Sequence, residues 1–251
     1  MQYSTFAAID IGSYDVILEI FEISKKQGIR SVDKICHRME LGKDTYTLGK
    51  IRPEMEEELC RVLADFVRIM EGYRVDDYRA TASSAISEAS NSLYVLGKIH
   101  QLTGLSVTVL SNSEQRFLSY KALAAMEDNF NKIIEKGTAI LDLDGGSFQI
   151  SLFDKDALVT TQNIRMGSLR IRERLAGIQS ETEHYEEMVE ELIWNEVSSF
   201  KKMYLKDRKI ENIMLIGDVF TDSVYQNIEE KTTKIISREN FNTWYEKIIR
   251  Q

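Results

Sequence analysis

Proline is almost missing: Pro53 is the single one in 251 residues, and no Gly/Ser-rich tract occurs. A flexible linker of either composition is thereby excluded, so any domain boundary must run through a structured element. Cysteine is equally scarce. Cys36 and Cys60 are too few for a disulfide scaffold or a zinc site and are expected as buried free thiols. His37, His100 and His184 are scattered and follow no metal-ligand spacing. Positive charge is in deficit, 32 Lys+Arg against 40 Asp+Glu, a net charge of −8. Binding across a broad nucleic-acid surface replaces condensed counterions with cationic side chains, so DNA is not expected as a partner. Small phosphorylated ligands stay open, because backbone N–H groups bind them without net positive charge. No apolar run approaches the ~20 residues of a membrane span. The start, MQYSTFAAID, has no basic leader region, so the expectation is a cytoplasmic chain away from membranes.

What is present is a core-forming composition, 43% hydrophobic and 29% charged. Phe6 to Asp10 is a short apolar run closed by Ile11-Gly12-Ser13, and Val16 to Ile23 alternates, which reads as strand, tight turn, strand. Ile29 to Leu41 reads as a third strand. After Pro53, a residue tolerated in a first helical turn, Met55, Leu59, Val62, Leu63, Phe66, Val67 and Met70 recur at helical spacing. Strand at Tyr78 to Thr81, helix at Ser84 to Leu102, strand at Val107 to Leu110 and helix at Ser113 to Phe130 follow. Alternating strands and helices imply an α/β fold with covered sheets.

The chain then repeats itself. FAAIDIGSYDVILEIFE from Phe6 is similar to TAILDLDGGSFQISLFD from Thr138, which makes Asp10 and Asp142 equivalent at an offset of 142 − 10 = 132 residues. Two copies about half a chain apart imply two similar lobes facing a cleft. Each turn carries small residues, Gly12-Ser13 in one and Gly145-Gly146-Ser147 in the other, that let phosphate oxygens approach backbone N–H groups. Each Asp can hold a magnesium ion through its waters, an ion that shares oxygen ligands with substrate phosphates. The plainer reading is a pair of structural hairpins whose Asp residues serve local N–H groups.

The segments AIDIGS, LGK, SAISEASN, VLSNSEQ, LDLDGGSF, RMGSLR and IMLIGD, in this order, resemble the exopolyphosphatase / guanosine pentaphosphate phosphohydrolase (Ppx/GppA) family over about Phe6 to Asp218. The resemblance implies two ribonuclease-H-like, actin-like ATPase lobes, a central cleft, magnesium, and hydrolysis of terminal phosphoanhydride bonds in polyphosphate or guanosine pentaphosphate. Asp10, Gly12 and Ser13 match the family's first phosphate loop, with Tyr14 in place of the usual Asn. Asp142, Gly145, Gly146 and Ser147 match the second, with Asp144 replacing its first glycine and Phe148 its usual Thr. Ser87 stands where the pattern has arginine. The family's catalytic carboxylate, the second of a Glu-Glu pair, aligns with Gln115, and Glu114 aligns with the first. The third loop reads Gly217-Asp218-Val219-Phe220-Thr221 instead of a Gly/Thr-rich run, and the sequence stops at Gln251, before the family's closing segment.

A glutamine can position a water but cannot take its proton at neutral pH. A carboxylate at Asp144 repels phosphate by ~4 kcal/mol at 4 Å and an effective dielectric of 20, unless a bridging magnesium reverses the sign. The expectation is therefore an α/β protein of two ribonuclease-H-like domains facing a central cleft, residues 1–125 and 126–251, the second shortened. Asp10 and Asp142 are its metal residues. Gly12, Ser13, Asp144, Gly145, Gly146 and Ser147 line its phosphate site, and Gln115 and Glu114 hold the catalytic place. Function is read as binding of a polyphosphate-type or guanosine pentaphosphate-type ligand with impaired hydrolysis. The alternatives are an active hydrolase using another base, such as Glu114, and a ligand-free scaffold whose open surface takes a partner or a second copy as a homodimer.

Further along, Arg165-Met166-Gly167-Ser168 reads either as a phosphate contact or as a strand end before a helix. Arg170, Arg172 and Arg174 read as a solvated helix face. Tyr185, Met188, Val189, Leu192, Ile193, Val197 and Phe200 form an amphipathic core helix with Glu181 to Glu191 on its exposed side, and Trp194 and Trp244 read as packing residues.

Overall fold

A computed structural model describes residues 3–26, 28–127, 129–179, 184–206, 208–217 and 237–249. Its first half is a five-stranded sheet. Strands β1 (Ser4–Ile11), β2 (Asp15–Ser24), β3 (Gly28–Arg38), β4 (Asp77–Ala82) and β5 (Val107–Val109) lie in the order β3-β2-β1-β4-β5. β1 pairs antiparallel with β2 and parallel with β4. Its alternation places Ala7, Ile9 and Ile11 in the core beside Val16, Leu18 and Ile20 of β2. Helices α1 (Leu41–Leu48), α2 (Pro53–Gly72), α3 (Ser84–Ser87) and α4 (Ser92–Thr103) belong to this half, with Leu59, Leu63 and Phe66 of α2 and Val95 and Ile99 of α4 in its core.

The second half repeats the pattern. β6 (Thr138–Leu143), β7 (Phe148–Asp154), β8 (Ala157–Ile164) and β9 (Asn212–Ile216) run in the order β8-β7-β6-β9, the counterpart of β3-β2-β1-β4. Asp10 pairs with Ile17 and Asp142 with Gln149, seven residues on in each case, so the 132-residue offset holds in register. β5 has no counterpart among the described residues. Helices α5 (Asn112–Met126), α6 (Phe130–Ile134), α7 (Ser168–Gln179), α8 (Tyr185–Phe200) with a π-helical turn over Lys201–Leu205, and α9 (Arg238–Ile249) complete the elements. Leu123 of α5 packs with Phe130, Ile134, Ile140 and Phe153, so the end of α5 joins the second core. Among the described residues no helix is long and apolar enough to cross a membrane.

Several local expectations need correction. The third strand stops at Arg38: Met39 and Glu40 both donate their N–H to Tyr14 O at 3.0 Å, and Glu40 turns left-handed (φ 53°) to start α1. The helix expected over Ser84 to Leu102 is broken. Ser90 N donates to Gly49 O at 2.9 Å, and the Asn91 side chain pairs with both the N–H and the C=O of Ile51, at 3.0 and 2.8 Å. These local partners compete with helical bonds. α5 ends at Glu127 in an extended conformation, which separates it from α6. Cys60 is buried as expected, but Cys36 is exposed on edge strand β3. Of the described α8 side chains only Phe200 is buried, and Trp194 is 58% exposed beneath the Lys201 ammonium rather than packed. The Trp244 side chain, residues 181–183 and residues 218–221 of the third loop lie outside the described residues.

Candidate functional site

The two Asp–turn units meet at one cavity of about 160 Å³. From β1 and the turn after it come Asp10, Gly12, Ser13 and Tyr14, and β2 adds Asp15 and Ile17. β6 and its turn supply Asp142, Leu143 and Asp144. Gln115 and Ser119 reach in from α5, Ser83 from the end of β4, and Gly217 from the end of β9. Both hairpins are tied by the same bond: Gly12 N donates to Asp15 O and Asp144 N to Ser147 O, each at 3.0 Å. Gly217 is held where only glycine fits. Its φ is +128°, and a Cβ there would lie 2.0 Å from Leu143 O.

Four of the lining residues are carboxylates: Asp10, Asp15, Asp142 and Asp144. Asp15 Oδ1 accepts from Arg38 Nε at 3.2 Å, Asp142 Oδ2 from Ser119 Oγ at 3.2 Å, and Asp144 Oδ1 from Gly145 N at 2.7 Å. No Lys, Arg or His among the described residues lines the cavity. Among the described residues no three His, Cys, Asp or Glu side chains converge on one point to hold a metal. That excludes an all-protein cage from those residues.

Of the expected residues, Asp10, Gly12, Ser13, Gln115, Asp142 and Asp144 are brought together here, whereas Glu114, Gly145, Gly146 and Ser147 lie outside the lining. Glu114 closes a capping box at the start of α5. Its carboxylate accepts from Ser111 N at 2.9 Å and Ser111 Oγ at 2.7 Å, and Glu114 N donates to Ser111 Oγ at 3.3 Å. The bond from the Ser111 N–H holds the Glu114 carboxyl below its ordinary range.

Gly145 and Gly146 face the other lobe. A Cβ on Gly146 would meet Tyr46 Oη at 2.2 Å and Ser84 Oγ at 2.4 Å, so the bare backbone permits the lobes' approach. Tyr46 Oη lies 2.6 Å from Ser13 Oγ and 2.8 Å from Ser84 Oγ. Burial pushes the Tyr46 phenol above its ordinary pKa, which keeps it a neutral hydroxyl. Ser147 Oγ accepts from Asn163 Nδ2 at 3.4 Å.

The helix face expected to be solvated is instead a pair of cross-lobe pins. The Arg170 guanidinium stacks 3.7 Å from the Tyr46 ring centre, donates from Nε to Gly146 O at 2.8 Å, and forks onto Glu88. Arg172 forks onto Glu40 at 3.1 and 2.5 Å and donates to Tyr14 Oη at 3.3 Å. Arg174 is exposed as expected, and so is Arg165. An i, i+2, i+4 spacing on a helix does not place three side chains on one face, so the expectation of a shared environment had no geometric basis.

Sequence reasoning missed three further groups. The buried Oγ of Ser83, Oε1 of Gln149 and Oδ1 of Asn163 have no hydrogen-bond partner among the described residues. Gln149 is the β7 partner of Asp142, and Asn163 is the β8 partner of Gln149, so they form one polar row across the sheet. The repeat already pairs Gln149 with Ile17, and that polar residue on a buried strand was the available signal. Ser83 had none beyond its place after a short strand.

Comparison with known proteins bears on the family and the fold. The profile of the Ppx/GppA phosphatase family matches residues 19–251. The bifunctional 3-dehydroquinate synthase/phosphatase of Fusobacterium nucleatum is 22% identical over 238 residues, 90% of this chain and 34% of that protein. Exopolyphosphatase 1 of Mycobacterium leprae is 25% identical over 144 residues, 57% of this chain and 41% of that protein. The chain thus matches well under half the length of these curated relatives. Among solved structures, an exopolyphosphatase from Cytophaga hutchinsonii aligns with a TM-score of 0.77 at 19% identity, over 99% of this chain and 80% of that one. The Aquifex aeolicus Ppx/GppA family member aligns with a TM-score of 0.73 at 20% identity, over 100% of this chain and 80% of that one. These likenesses establish the fold, two actin-like domains.

Proposed function

The chain belongs to the Ppx/GppA phosphatase family, and from that premise we propose that its cleft binds the end of a polyphosphate-type anion together with magnesium, with hydrolysis impaired. The observation that carries this reading is the pair Gln115 and Glu114. The amide lines the cavity, while the neighbouring carboxylate lies outside the lining and is committed to the α5 cap.

Among the described residues four carboxylates and no cation line the cavity, and each such carboxylate repels a bare phosphate by ~4 kcal/mol for one charge pair at 4 Å and an effective dielectric of 20. The anion is therefore expected to enter as its magnesium complex. Asp10 and Asp142, equivalent ends of β1 and β6, would hold the ion through its waters, and the ion would neutralise phosphate charge there. Gln115 orients a water by hydrogen bonding but leaves its proton in place at neutral pH. Tyr14 narrows the same cavity, its ring held by the Arg38 guanidinium at 4.2 Å and its hydroxyl by Arg172.

A second reading rests on Asp144, a carboxylate in the cavity wall that replaces glycine in the second loop. In that reading Asp144 accepts the water's proton and the protein is an active hydrolase.

The deciding measurement is phosphate release from magnesium polyphosphate by the wild type, Gln115→Glu and Asp144→Asn. The proposal expects a barely measurable wild type and a gain in Gln115→Glu of up to the ~10²- to 10⁴-fold that a general base contributes. Robust wild-type turnover abolished by Asp144→Asn, with binding retained, would install the second reading instead.

A further inference from the structure

Two serines, Ser13 and Ser83, line the cleft from neighbouring strand ends, and their hydroxyls have different surroundings. Ser13 is fully buried. Its Oγ lies 2.6 Å from Tyr46 Oη and 3.3 Å from Ser84 Oγ, so its single proton and its lone pairs face other hydroxyls. Arg170 clamps this group from the second lobe by stacking on Tyr46 and donating to Gly146 O. The Ser13 hydroxyl is part of the lobe interface.

Ser83 is placed differently. It follows the last residue of β4, and its N–H donates to Ile11 O at 3.2 Å, which fixes it beside the first Asp–turn unit. The residue is 6% exposed, and its Oγ has no partner among the described residues. It caps no N–H of α3. Buried hydroxyls are nearly always satisfied, and an orphan destabilises the protein that carries it. This orphan belongs to the wall of the cavity that also holds Asp10, Asp142, Asp144 and Gln115. An acceptor oxygen arriving in that cavity is the chemistry it lacks.

We propose that Ser83 Oγ donates to an oxygen of the phosphate group in the cleft, while Tyr46 and Arg170 retain the Ser13 hydroxyl for lobe contact. This inference rests on the reading of the cleft as a phosphate site. It makes Ser83 a binding residue and Ser13 an interface residue.

Calorimetric titration of magnesium tripolyphosphate into the wild type, Ser83→Ala, Ser83→Cys and Ser13→Ala tests it, with the melting temperature of each free protein recorded alongside. Losing the Ser83 hydroxyl is expected to weaken binding by ~10- to 150-fold, the worth of one hydrogen bond to a charged group. The free Ser83→Ala protein should melt at or above the wild-type temperature, because an unsatisfied group has gone. Ser83→Cys keeps the size and a weak donor and should fall between. Ser13→Ala should lower the melting temperature and weaken binding less than Ser83→Ala does. Wild-type affinity in Ser83→Ala and Ser83→Cys would overturn the assignment, as would a larger loss in Ser13→Ala. A wild type that binds no tripolyphosphate would overturn the phosphate reading itself and this inference with it.

Discussion

Gly12 and Asp144 stand 144 − 12 = 132 residues apart and make the same hydrogen bond, from their N–H to the carbonyl of the residue three positions on, Asp15 and Ser147, at 3.0 Å in both halves. The backbone of the repeat has been kept while one copy exchanged a hydrogen atom for a carboxylate. Asp144 needs no left-handed backbone to sit there, since it is not among the positive-φ residues. The exchange therefore alters the charge of the cleft with little effect on the turn.

Asp144→Gly should accordingly bind tripolyphosphate more tightly when magnesium is absent, by about tenfold or more at low salt, because one repelling charge leaves the cavity wall. With magnesium present the gain should shrink, since the ion offsets the same charge. Titrations with and without the metal check this, and equal gains in both would refute the electrostatic account.

Gly146→Ala is expected to destabilise the protein by about 1–3 kcal/mol, the range for inserting a methyl group into a packed site. The new Cβ would press on Tyr46 Oη and Ser84 Oγ across the lobe interface. Urea denaturation measures the loss. Pairing the change with Tyr46→Phe should recover part of it, because the nearest clashing atom is removed.

The Arg172–Glu40 fork gives the interface an acid limb. The hydrogen bond from Arg172 depresses the Glu40 carboxyl below its ordinary value. In the unfolded chain that carboxyl titrates at about 4.3, so the unfolded state takes up its proton first as pH falls. The stabilisation is thus complete above about pH 4.3 and is lost as pH drops through the lower folded-state value. The side chains are 37% and 28% exposed, which limits the contribution to about 1 kcal/mol or less. Glu40→Gln should flatten this part of the melting-temperature profile and leave the region above pH 6 parallel to wild type.

On the proposed reading, in which Asp10 and Asp142 hold one ion from opposite lobes, Asp10→Asn and Asp142→Asn should each abolish the rise in melting temperature expected of the wild type with magnesium and tripolyphosphate. Scanning calorimetry with metal alone, anion alone and both together reads this. An unchanged shift in either mutant would remove that residue from the metal site.

The legible part of the site was its backbone. A buried strand ending in Asp, a small-residue turn and a second alternating strand announce themselves locally, because strand alternation and turn chemistry depend on neighbours a few residues apart. Helix α1 escaped notice because LGKDTYTL carries only two large aliphatic residues and begins from a left-handed Glu40. The break before Asn91 was hidden for a related reason: the Asn91 side chain finds its partner 40 residues away, at Ile51.

Sequence by itself determined the two halves and the equivalence of Asp10 and Asp142, which are patterns of residue type and spacing along the chain; the expectation at Gln115 came from the family resemblance. Only the tertiary structure decided which hydroxyl is engaged and which is left over, and that Arg170 and Arg172 pin one lobe to the other. Those outcomes depend on side chains 33 residues apart for Ser13 and Tyr46 and 132 apart for Glu40 and Arg172. Hydrogen bonds and stacking act over a few ångströms, so such pairs exist only once the sheets have brought the two halves face to face.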